Sequence, residues 1–92
     1  MVYPFMTLND GTGITHTDIM LIDGKETVKV YIEQPVDGGF NSCECVLPGY
    51  KWTNIEGFSD AKMDYLKEFI SSIAHVIIRL ARNGGFENAS GL

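Results

Sequence analysis

Ninety-two residues, with seven basic side chains against twelve acidic ones and a net charge of −5, leave room for one core that buries about 60–65% of the unfolded surface. Such a charge repels phosphate backbones and is better suited to a basic protein partner, which argues against non-specific nucleic-acid binding. The opening Met-Val-Tyr-Pro-Phe-Met has no basic n-region and no long apolar run, so neither a secretory leader nor a membrane span is expected, and the expected address is cytoplasmic.

Residues 3–8 form a short apolar run closed by Asn9-Asp10-Gly11, types that tolerate the left-handed backbone of a turn. Pro4 cannot donate to a ladder, so this strand is expected at a sheet edge. Residues 14–22 are β-branched or apolar and run into Asp23-Gly24, a two-residue hairpin signal. Their pattern falters at Thr17 and Asp18, where a bulge is expected. Over 26–34 the alternation is clean, with Val28, Val30 and Ile32 on one face and Lys29, Tyr31 and Glu33 on the other.

Pro35 ends that strand, Asp37-Gly38-Gly39 turns the chain, and 40–47 alternates again with Cys43, Cys45 and Leu47 on one side. Neighbouring strands joined by tight turns pair with each other, so an antiparallel meander of three to four strands is predicted. Residues 48–57, punctuated by Pro48, Gly49 and Gly57, read as a connection anchored by Tyr50, Trp52 and Ile55. Ser59 is placed to cap a helix over 59–83, and Gly84 to close it. Leu66, Phe69, Ile70, Ile73, Ile77, Leu80 and Ala81 recur at three- and four-residue steps, the stripe by which a helix packs on one face of a sheet. The tail over 86–92 is small and polar and is expected to be flexible. The fold class is therefore α+β, in a single domain over 1–92.

No catalytic, cofactor or metal constellation emerges from the residue types. Cys43 and Cys45 share a strand face about 7 Å apart at Cα, at the limit for a disulfide, and read as reduced, buried thiols. With His16 and His75 they offer zinc-ligand types without zinc-ligand spacing. Neither cysteine has a cationic sequence neighbour to lower its pKa, and His75 falls on the polar stripe of the helix. The glycines of 10–13 and 37–39 join strands and do not open a helix, as a phosphate cradle requires. Asp18, Asp23, Glu26, Asp37 and Glu56 lie mostly in turns, without the spacing of a calcium loop.

Two features suit binding. Tyr50 and Trp52 flank Lys51 in the predicted connection, residue types enriched at interface hot spots, although loop aromatics also serve as lids on their own core. Val76 and Ile78 widen the helix's apolar arc, as a homodimer seam or a partner groove would. The function expected is a small non-catalytic binding or regulatory domain acting on a protein partner. The alternatives are a self-associating structural module, and a small enzyme or ligand-binding domain using Cys45, His16 or His75.

The run Val30, Ile32, Glu33, then Asp37-Gly38-Gly39-Phe40, then Leu47-Pro48-Gly49, then Ser59 resembles the HicB-type antitoxins of bacterial toxin–antitoxin pairs, over about a third of the chain. The resemblance implies a partial ribonuclease-H-like scaffold that lacks catalytic carboxylates and occludes a small basic toxin. The chain departs from that family in its extra strands before the matching part, in the long segment after Gly49, and in having no DNA-binding motif after the main helix. Autoregulation through DNA is not implied.

Overall fold

Alternation and turn chemistry resolve into six strands and one helix in a computed structural model, which describes residues 1–84. The segment over 86–92, expected to be flexible, lies outside the described residues. In chain order the elements are β1 (Val2–Thr7), β2 (Gly13–Thr17), β3 (Met20–Ile22), β4 (Lys25–Val36), β5 (Gly39–Leu47), β6 (Lys51–Glu56) and α1 (Asp60–Arg82). The sheet is antiparallel in the order β1-β2-β4-β5-β6, with β3 also on β4. The fold class is α+β, as the periodicities required.

Besides β4, which does not end at Pro35 but continues to Val36 with Pro35 opposite Phe40, two boundaries differ from the sequence reading. The strand expected over 14–22 is interrupted at Asp18 and Ile19, giving β2 and β3 on the same side of β4. The Thr17 hydroxyl accepts from the Lys29 amide (3.1 Å) and donates to the Asp18 carbonyl (2.8 Å). A side chain thus takes a place in the ladder, the competition that makes threonine disruptive in regular structure. The second difference is that the expected connection over 48–57 contains β6, so the meander has more strands than three to four. Asn54, at φ 52°, absorbs the register slip of β6 against β5 between Ser42 and Glu44, which hides the alternation.

The hairpin signal at Asp23-Gly24 has its expected form: both residues have positive φ, 52° and 76°, and Ile22 pairs with Lys25 across the turn. Pro4 lies on the edge strand β1, as its missing donor demands.

One face of the sheet carries the core. Ile14, Val28, Val30, Ile32, Cys43, Cys45 and Leu47 are buried there against Met63, Leu66, Ile70, Ala74, Ile77 and Ala81 of α1. Ser59 caps the helix, its hydroxyl accepting from the Lys62 amide at 3.1 Å. At the other end Asn83 is the C-cap and Gly84, at φ 79°, follows in the left-handed conformation. Each end of the helix is tied to the sheet by an ion pair, Lys62 to Asp10 and Arg82 to Glu26. The helix therefore runs from the β1–β2 turn to the start of β4.

Candidate functional site

Register decides what the reactive residue types can do. On the helix-facing side, Tyr3, His16, Val30, Cys45 and Trp52 form one cross-strand row. His16 and Cys45 thus sit two strands apart, about 10 Å between backbones at the usual strand spacing, with Val30 between them. His75 lies on the exposed side of α1. Cys45, His16 and His75 are not brought together.

Both thiols are free and buried. Burial drives Cys43 up to about 11, with Glu44 adding to it, and Cys45 up to about 12, with Cys43 adding to it. Raised thiol pKa values stabilise the fold fully below the ordinary thiol range, because folded and unfolded chains then hold the same protons. Above about pH 9 the unfolded chain releases protons that the folded chain keeps, so stability should fall from there toward pH 11–12. Urea midpoints taken across that range should decline, and Cys43→Ser/Cys45→Ser should flatten the decline. Disulfide-reagent labelling of the native protein should be limited by its opening rate.

His16 is fully buried, its ring 5.7 Å from that of Tyr3. Its Nδ1 hydrogen donates to the Thr17 carbonyl at 2.9 Å, and its Nε2 has no partner. An orphaned polar atom in a core is a cost that an apolar side chain of similar size removes. His16→Leu should therefore change stability by no more than about 1 kcal/mol, whereas His16→Ala, which leaves a cavity, should cost about 2–4 kcal/mol. Thermal melts of the two variants make the comparison.

The predicted binding residues are dispersed. Trp52 packs against the core on the helix side, the lid role, while Tyr50 is exposed at φ 53°. Val76 and Ile78 are both half-buried. At about 100° per residue they lie on opposite flanks of α1, about 200° apart. They do not make one strip.

Val76 does share a flank with Tyr65, Phe69 and Ile73, and the start of this flank, at Tyr65, stands beside the edge strand β1. Between them an open groove of about 680 Å³ is lined by Met6, Thr7, Leu8, Asn9, Asp10, Ala61, Lys62 and Tyr65. Met6 is 40% and Tyr65 49% exposed, high values for large apolar side chains beside an unpaired edge. The Tyr65 ring is stacked on Phe69 (centroids 6.0 Å apart, planes 8° apart), and the Lys62 ammonium lies 5.4 Å from the Tyr65 centroid. Asp10 is held well below the usual carboxylate range by Lys62 first and by the Thr12 hydroxyl and amide after it. The charged pair of the groove is thereby neutralised internally, beside the apolar surface of Met6, Leu8, Ala61 and Tyr65.

Chemically, the groove offers burial to an apolar side chain, and the neighbouring edge offers backbone hydrogen bonds to an extended segment. Sequence reading missed Met6, Leu8 and Tyr65. The available signal was an aromatic four residues before Phe69, next to the main stripe, together with an apolar strand made an edge by Pro4. Among the described residues no three His, Cys, Asp or Glu side chains are grouped to hold a metal ion, and no helix is long and apolar enough to cross a membrane. Compared with known proteins, the chain matches no family model, no curated protein and no solved structure.

Proposed function

We propose that this chain is a non-catalytic binding domain that holds a protein partner at the β1 edge, in the cytoplasm, in a role like that of an antitoxin. The observation that carries the reading is the open outer edge of strand β1 flanking a groove lined by exposed Met6 and Tyr65. A partner segment would add to β1 by backbone hydrogen bonds and seat an apolar side chain between β1 and α1. The net charge of −5 favours a basic partner, such as a small toxin, and the resemblance of Val30 to Ser59 to HicB-type antitoxins agrees with that choice. Free, buried thiols suit a reducing compartment.

Co-expression with the neighbouring genes tests the reading. A stable complex is expected, and Met6→Arg/Tyr65→Ala should abolish it while leaving the melting temperature within a few degrees of the parent. Failure of any neighbour to co-purify, or a complex indifferent to the double substitution, would remove the proposal.

A further inference from the structure

Among the described residues, nothing forms a second layer over the face of the sheet turned away from α1. Its side chains fall into three cross-strand rows: Lys29, Val46 and Lys51; then Tyr31, Glu44 and Thr53; then Glu33, Ser42 and Glu56. On β4 the lysine and glutamate rows are four residues apart, about 13 Å at about 3.3 Å per residue. On β6 Lys51 and Glu56 are five apart in sequence, and the register slip between Ser42 and Glu44 takes up the extra residue. The face is therefore positive at one end and negative at the other on two separate strands.

Glu44, in the middle of this face, is met by Lys29 of the lysine row, which leaves Lys51 as that row's unpaired charge among the described residues. Glu44 accepts from Asn54 at 3.0 Å and pairs with Lys29 at 3.2 Å. Among the described residues, Glu33, Glu56 and Lys51 enter no ion pair or side-chain hydrogen bond. Tyr31 and Thr53 are half-buried between the charged rows, and Val46 and Ser42 are half-buried within them, a surface with moderate apolar content.

An isologous contact requires that the patch complement itself under a two-fold rotation. A two-fold axis lying in the face along the Tyr31, Glu44 and Thr53 row reverses the strand direction. It brings Lys29 over Glu33 of a second copy and Lys51 over Glu56 of that copy, each of them twice. We propose that two copies of this chain pair face to face through the uncovered side of the sheet, with the lysine row of each on the glutamate row of the other. The net charge of −5 per copy opposes the approach at long range, so the pairing is weak and belongs to high chain concentrations. It uses a different surface from the β1 groove, and either proposal stands if the other fails.

Sedimentation equilibrium of the full chain from micromolar to millimolar concentration is the test. The parent should show a reversible monomer–dimer equilibrium. Lys51→Glu and Glu56→Lys should each weaken it by about tenfold or more, and the two combined should restore it, because the rotation then pairs the exchanged charges. Met6→Arg/Tyr65→Ala should leave it unchanged. A monomer at every concentration, a dimer insensitive to the single reversals, a double variant that is not restored, or a dimer lost with Met6→Arg/Tyr65→Ala would each overturn the proposal.

Discussion

Leu66→Ala is expected to lower the unfolding free energy by about 4 kcal/mol, toward the upper part of the range for aliphatic core truncations. Leu66 has no exposed surface and lies inside the cluster that joins α1 to β2, β4 and β5. The cost combines lost transfer free energy with a cavity that a helix tied to the sheet at both ends, by Lys62–Asp10 and Arg82–Glu26, cannot easily close. Small domains have only about 5–15 kcal/mol to lose. At about 4–8 °C per kcal/mol, the melting temperature should fall by about 15–30 °C. Ile73→Ala is the internal comparison. Ile73 is half-buried on the flank of the helix, so about half the loss is expected, although both residues belong to the same three- and four-step pattern. Equal losses in urea melts would mean that the helix is seated differently.

Gly57→Ala should cost about 2–4 kcal/mol for two separable reasons. Gly57 sits at φ +84°, where a side chain adds about 1–2 kcal/mol. In addition, an added Cβ would overlap Asn41 Oδ1 and come within 2.9 Å of its Cγ and 3.3 Å of its Cα. Relief of that overlap displaces the Asn41 side chain, whose amide donates to Gln34 Oε1 at 3.4 Å. A double-mutant cycle separates the terms. In the Asn41→Ala background the overlap with the amide is gone, and Gly57→Ala should cost only the φ share and the 3.3 Å approach to the Cα of residue 41. Strict additivity would assign the whole loss to those two causes. Gly57 joins β6 to the cap of α1, so the same variants report how firmly the late strand and the helix are coupled.

Much of the fold was legible residue by residue. The alternation of Val28, Val30 and Ile32, the Asp23-Gly24 turn, the Ser59 cap and the stripe from Leu66 to Ala81 are local patterns, and the structure carries all of them. Two of the places where the reading diverged share a physical cause, a polar residue interrupting regular backbone pairing, whereas β4 simply continues through Pro35 opposite Phe40. Thr17 lends its hydroxyl to the ladder and divides one expected strand into two. Asn54 takes a left-handed conformation and lets β6 continue past a slip in register. Each leaves a signal at one residue, too short to alter a periodic pattern.

The candidate sites were less legible because they depend on pairs of elements distant in sequence. Taken alone, the chain determined its class, its core face and the buried state of its thiols, since periods of 2 and 3.6 place side chains on faces without reference to anything far away. Tertiary structure decided the rest. Cross-strand register put Val30 between His16 and Cys45, and the seating of α1 along the sheet opened the groove between Met6 and Tyr65. Register and seating are set by the joint packing of strands and helix, a property of contacts that no local stretch of residues contains.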